Sequence, residues 1–169
     1  MRPTTLVESA LTSGSFTETC LEMGLKPATH VFRTREIPAD PAITSILGCD
    51  DEALIEIRRL RMAGATPCIV EHDYFPLQYR FLMQTELENR SLFEILKDEG
   101  GRSVCGFEDR FRIARADAEC AELLGVAEGE PLLEVLETVY GDDASDIIYV
   151  NRQLIASERY LYVVRSRKG

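Results

Sequence analysis

A chain of 169 residues with 45% hydrophobic content is long enough to bury one complete core, and no shift of composition along it asks for a second. Its 29 acidic against 19 basic residues leave a formal net charge of −10, which disfavours direct contact with nucleic acid, whose affinity rests on Lys and Arg neutralising phosphates. No run of about twenty apolar residues is present, and Met1-Arg2-Pro3-Thr4-Thr5 lacks the apolar core of a signal peptide, so a cytoplasmic protein without membrane contact is expected.

Ser15-Phe16 opens the first predicted helix, which carries Cys20, Leu21 and Met23 and meets Gly24 as its stop. A strand follows from Thr29 to Ile37. Asp40-Pro41 begins a short helix, with proline at the permitted first position and Gly48 after Leu47. Residues 54–62 then alternate, so that Ile55, Ile57, Arg59 and Arg61 share one face of a strand while Leu54, Leu60 and Met62 share the other. Gly64 supplies a turn, and Pro67 to Phe75 returns antiparallel. With the turn centred near Ala65, Arg59 lies opposite Glu71, Arg61 opposite Ile69, Leu60 opposite Val70 and Met62 opposite Cys68. One face is then core and the other carries charge beside apolar residues. An Arg opposite a Glu on a hairpin is most often a surface ion pair of small value. Two planar guanidinium forks two residues apart also suit one small phosphate, phosphonate or carboxylate.

After Pro76 the chain to Asn89 is mixed, read as loop with a short helix. Ser91-Leu92-Phe93-Glu94 has the spacing of a capping box and opens a helix to about Asp98, before Gly100-Gly101. The N-terminus of that helix offers free N–H groups to an anion, although the cap is complete as a purely stabilising device. Residues 102–114 read as a long strand whose Glu108, Asp109, Arg110 and Arg112 are solvated. Asp117 begins a helix carrying Ala121, Leu123 and Leu124 and closed by Gly125; Glu128-Gly129-Glu130-Pro131 is a turn; strands at 132–140, 147–156 and 160–165 complete the chain. The irregular alternation of helix and strand, with strands dominating the second half, gives an α+β class with a mainly antiparallel sheet and helices packed on it.

Catalytic and metal chemistry find little support in these residues. Cys20, Cys49, Cys68, Cys105 and Cys120 are odd in number and never paired as Cys-x-x-Cys, so reduced and mostly buried thiols are expected rather than disulfides or zinc. His30 and His72 are the two histidines. His72 stands between Glu71 and Asp73, but alternation sends those three side chains to different faces, and neither histidine sits in a motif with a serine or cysteine. No catalytic residue, metal or cofactor is assigned.

The order of the signals resembles a known family. Ser15-Phe16-Thr17 with Gly24-x-x-Pro27, Arg59-Leu60-Arg61, Pro67-x-x-x-Glu71-x-x-Tyr74-x-Pro76, Ser91-Leu92-Phe93-x-x-Leu96, and Leu124-Gly125-Val126-x-x-Gly129-x-Pro131-Leu132-Leu133 look like the effector-binding (UTRA) domain of GntR regulators of the HutC subfamily. The likeness runs from about residue 14 to 165. It implies a chorismate-lyase-like fold with a small-molecule site between sheet and helices, and a homodimer that places DNA-binding heads according to the effector. It also implies that Arg59 and Arg61 clamp the anionic group of the ligand, with Ser91 as a third donor. Glu71 accepts from ligand hydroxyl or amine groups, Phe16 and Thr17 close the pocket, and Phe93 stands where members often have tyrosine.

Two departures qualify what the resemblance implies. Near the end the family often reads Pro-Ile-Glu-Tyr-Ser, then a tyrosine; here Tyr149 occupies the place of that Glu and Ile155 that of the tyrosine. Those positions commonly help hold a sugar-like ligand, so a smaller or less hydroxylated anion is expected, with Asn151 as a polar contact. The winged helix-turn-helix that precedes such domains is absent from these residues, and residues 1–13 read as a linker remnant ahead of an effector-binding domain at 14–169. DNA would be reached only through that separate head. The competing readings are an enzyme, because the same fold serves a lyase acting on chorismate and Glu71 beside Arg59 could act as an acid, and a ligand-free interaction module with both arginines on the open surface.

Overall fold

The computed structural model describes residues 6–9 and 16–163. In chain order these form β1 (Leu6–Ser9), α1 (Phe16–Glu22), β2 (Pro27–Pro38), α2 (Pro41–Leu47), β3 (Ala53–Ala63), β4 (Thr66–Phe75), a 3₁₀ segment (Leu77–Gln84), α3 (Leu92–Asp98), β5 (Gly106–Arg115), α4 (Ala118–Leu124), β6 (Pro131–Tyr140), β7 (Ile147–Ile155) and β8 (Tyr160–Val163). Six strands make one sheet in the order β2-β3-β4-β7-β6-β5, antiparallel at every pairing, and β1 pairs with β8 in parallel as a separate ribbon. Leu6–Ser9 thus forms a strand within the stretch read as a linker. The rest of residues 1–13, Ser15 and the end of the strand expected at 160–165 lie outside the described residues.

Helices cover both faces of the sheet. On one face Ile55, Ile57, Phe75 and Val139 meet Leu82 of the 3₁₀ segment and Leu92, Ile95 and Leu96 of α3, while Ile69, Val135 and Ile155 meet Phe16 and Cys20 of α1. On the other face Leu60, Val70 and Leu154 meet Cys120, Ala121 and Leu124 of α4, and Leu54 and Val150 meet Leu47 of α2. This corrects the expectation of one core face and one charged face on the hairpin: alternation sorts residues between faces but cannot say that both are roofed. Among the described residues no helix is long and apolar enough to cross a membrane.

Local signals set the helix ends. Asp40 accepts from Ala42 N at 2.9 Å and Asp117 from Cys120 N at 2.8 Å, each satisfying one free N–H at the start of its helix. Gly125 closes α4 in the left-handed region at φ 64°, a conformation that costs a side chain strain. The β3–β4 hairpin keeps the predicted pairs Arg59 with Glu71, Leu60 with Val70 and Arg61 with Ile69, but Met62 pairs with Pro67 instead of Cys68. The two-residue Gly64-Ala65 turn fixes Ala63 opposite Thr66, one step out of register with the body of the strands, and Cys68 is the extra residue that absorbs the difference. The expected strand from residue 102 starts only at Gly106, because the Arg102 N–H is turned to the carbonyl of Leu96. Asp109 on that strand is half-buried, with one carboxylate oxygen sealed from solvent, and is not the solvated charge expected. Cys20, Cys68 and Cys120 are buried, Cys49 partly so and Cys105 exposed, all as free thiols.

Candidate functional site

The alternation that puts Ile55 and Ile57 under α3 carries Arg59 and Arg61 onto the same face, beside Glu71 and Asp73 of β4 and Asn151 of β7. There they form a buried ionic network. Arg59 is 2% exposed; its Nε donates to Asp73 Oδ2 at 2.7 Å and its Nη2 to Asp73 Oδ1 at 3.0 Å, and Nη2 also forms an ion pair with Glu71 Oε2 at 2.7 Å. Arg61 Nε donates to the same Glu71 Oε2 at 2.9 Å, Arg61 Nη1 to the Thr29 hydroxyl at 2.8 Å, and Asn151 Nδ2 to Asp73 Oδ1 at 2.5 Å. Two guanidiniums thus share two carboxylates. Burial alone pushes the Glu71 carboxyl up, but Arg59 and Arg61 together hold it below its ordinary range. Burial raises the Asp73 carboxyl, and the neighbouring Glu71 adds to this against the pull of Arg59 and Asn151. The oxygens of Asp73 receive only donors in these bonds, which is the pattern of an ionised group. Arg59 Nη1 and Asn151 Oδ1 are sealed from solvent without a hydrogen-bond partner among the described residues.

In front of this network lies a cavity of about 390 Å³ between α1, the start of β2 and the segment leading into α3. Thr17, Glu18, Thr29, Arg61, Asn89, Arg90, Ser91, Phe93 and Glu94 line it, with Pro27 and Ala28. Asn89, at φ 55°, clips this wall to β2: its Oδ1 accepts from Thr29 N at 2.9 Å and its own N–H donates to the Thr29 carbonyl at 3.0 Å. Arg90 is engaged with Glu99 at 2.8 Å and with the Glu86 carbonyl at 3.0 Å. Ser91 caps α3 through a long 3.5 Å bond from Glu94 N to its Oγ, which leaves the hydroxyl proton available. Arg61 is the member that joins cavity and network. Its Nε and Nη1 are held from behind, its guanidinium lies over the Phe16 ring at 5.6 Å, and its Nη2 makes no hydrogen bond among the described residues. The arrangement can present a pre-oriented cationic N–H to an anion inside a half-enclosed space.

The residues singled out from sequence separate into two groups. Thr17, Arg61, Ser91 and Phe93 share the cavity wall. Phe16 is buried beneath it, stacked on Tyr160 at 5.9 Å. Arg59, Glu71 and Asn151 belong to the network behind, outside the lining, and Tyr149 is buried deeper, stacked on Phe75 at 4.4 Å. His72 lies on the other face of β4, against Arg58. Sequence reasoning missed Thr29, Asn89 and Asp73. An Asn in the polar run before Ser91 signals a left-handed turn, and Asp73 sits two residues beyond Glu71, on the same face of β4 and diagonal to Arg59.

Comparison with known proteins bears on this geometry. The HTH-type transcriptional repressor NagR of Bacillus subtilis (strain 168) is 22% identical over 150 residues, 88% of this chain and 61% of that protein. The chain therefore spans about 61% of the length of this relative. The crystal structure of PhnF from Mycobacterium smegmatis superposes with a TM-score of 0.87 at 22% identity, covering 98% of this chain and 73% of that one. The structure of its effector domain alone gives 0.85 at 22% identity, covering 96% and 99%. These likenesses show the chorismate-lyase-like α+β fold, an antiparallel sheet with helices on it. The family model for the UTRA domain matches residues 22–161, most of the chain, and the chain belongs to that family.

Proposed function

We propose that this chain is the effector-binding and dimerising domain of a cytoplasmic GntR-type regulator of the HutC subfamily, and that a small metabolite with a phosphate, phosphonate or carboxylate group docks on Arg61 in the 390 Å³ cavity. The observation that carries this reading is Arg61, whose Nε and Nη1 are fixed by Glu71 and Thr29 and which lines the same cavity as Ser91 and Asn89. The regulator to which it belongs would reach DNA through a separate winged-helix head, as the description of NagR as an HTH-type repressor suggests. A binder is favoured over an enzyme because Glu71, the carboxylate that the enzyme reading would use as an acid, is engaged by Arg59 and Arg61 and does not stand free as a general acid. Arg61, only 12% exposed, is also poorly placed to serve an open interaction surface.

A thermal-shift screen of sugar phosphates, phosphonates and small carboxylic acids tests the reading. A ligand at a hundred times its dissociation constant adds about 2.7 kcal/mol, several degrees for a domain of this size. A shift that disappears in Arg61→Ala supports the proposal. Shifts retained in that variant, or none with any anion, count against it.

A further inference from the structure

A phosphate or carboxylate ligand that used Arg59 as well as Arg61 would need the fork formed by Nε and Nη2 of Arg59. That fork is already filled. Asp73 accepts from both nitrogens, at 2.7 and 3.0 Å, in the bidentate geometry a ligand anion would otherwise take. Nη2 is further held at 2.7 Å from Glu71, and Nη1, the nitrogen left over, is sealed from solvent and outside the cavity lining. Asp73 is fully buried and tied by Asn151 at 2.5 Å, so it has no route to swing aside. Its place follows from the strand: Asp73 is opposite Ile57 and Glu71 opposite Arg59, so Arg59 needs only to lean one pair along the sheet to reach it.

The charges behind the cavity therefore cancel. Arg59 and Arg61 contribute two positive charges, Glu71 and Asp73 two negative ones, all linked by bonds of 3.0 Å or less. A site with both arginine forks open would reward each additional negative charge on a ligand. Here a second charge finds no second fork, and it approaches two carboxylates. Resting on the reading of the cavity as an anion site, we infer that Asp73 is a specificity-determining residue, a built-in counter-ion that fills the fork of Arg59, leaves Arg61 as the anion contact and makes the cavity select singly charged groups over dianions.

The test titrates the chain with methyl phosphate, a dianion at about pH 8, and with acetate, a monoanion, while following the arginine Nε–Hε resonances. In the wild type both ions are expected to move the Arg61 signal and leave that of Arg59 in place, with acetate bound more tightly than methyl phosphate. Asp73→Asn keeps the shape of the side chain and removes its charge, so one positive charge behind the cavity is left uncancelled; methyl phosphate should then bind about tenfold tighter or more, while acetate gains less. An unchanged ratio of the two ions in Asp73→Asn overturns the inference and leaves the anion site standing, as does a wild-type Arg59 signal that responds as strongly as that of Arg61. If Asp73→Asn does not fold, the pair of wild-type arginine signals decides the matter alone. Should neither ion move Arg61 in either protein, the anion site itself fails and the inference falls with it.

Discussion

His72 should make the domain sensitive to mild acid. It is 7% exposed on the face of β4 opposite Glu71, and its Nε2 receives Arg58 Nη2 at 2.7 Å and Arg58 Nε at 3.3 Å. A nitrogen that receives donors carries no proton, so the ring proton is on Nδ1, 3.4 Å from the Tyr74 hydroxyl. Burial first, then Arg58, Arg152 and Arg33, lower the imidazole from 6.5 to about 4, against a smaller opposing pull from Asp117. The unfolded chain therefore takes up a proton below 6.5 that the folded protein refuses until about 4. The contribution of His72 to stability is unpenalised above 6.5 and is lost as pH falls through that window, by about 2 kcal/mol near pH 5 and about 3 kcal/mol at the foot. Urea denaturation of the wild type and His72→Gln across a pH series isolates the effect, since glutamine keeps an acceptor for Arg58 and does not titrate. The wild type should lose that much more stability than the variant between neutral pH and pH ~5. Curves that run parallel through the window would refute the argument.

Arg59→Ala should destabilise the fold by about 3–5 kcal/mol in urea denaturation, because it strands Asp73 and part of Glu71 as buried charges. An effect under about 1 kcal/mol, which a surface ion pair would give, contradicts the buried network. Phe75→Ala, which removes a fully buried ring stacked on Tyr149 at 4.4 Å and packed on Tyr79 at 5.4 Å, should cost about 3–5 kcal/mol by the same assay without touching the cavity lining.

How far the sequence could be read follows the range of the interactions. The β3–β4 hairpin was legible because its signals are local: alternation, one turn glycine and the resulting pairs of Arg59 with Glu71 and Leu60 with Val70. The single slip, Met62 against Cys68, arose where a two-residue turn and the strand body demand different registers, a conflict visible only when both are built. Asp40, Gly48, Asp117 and Gly125 announced their helix ends for the same local reason. What stayed hidden depends on residues far apart in the chain. Asp73 competes for Arg59 only because both are roofed over, and no pattern in residues 54–75 shows the roof. Thr29 and Asn89, 60 positions apart, meet because the approach to α3 folds back on β2. Thr17, Arg61 and the Ser91–Phe93 pair come from three separate segments of the chain, and their shared wall is a product of tertiary packing.

The central claim is that Arg61 reads the anionic group of a ligand in the cavity. Its most direct test is calorimetric titration of the best anion from the screen into the wild type and Arg61→Ala, with folding of the variant checked by its melting temperature. Glu71 keeps Arg59 as a partner when Arg61 is removed, so the variant should remain folded. The account predicts an affinity loss of about 1.5–3 kcal/mol, roughly ten- to a hundredfold, as for a charge-assisted hydrogen bond. A folded Arg61→Ala that binds the same anion as tightly as the wild type would contradict it.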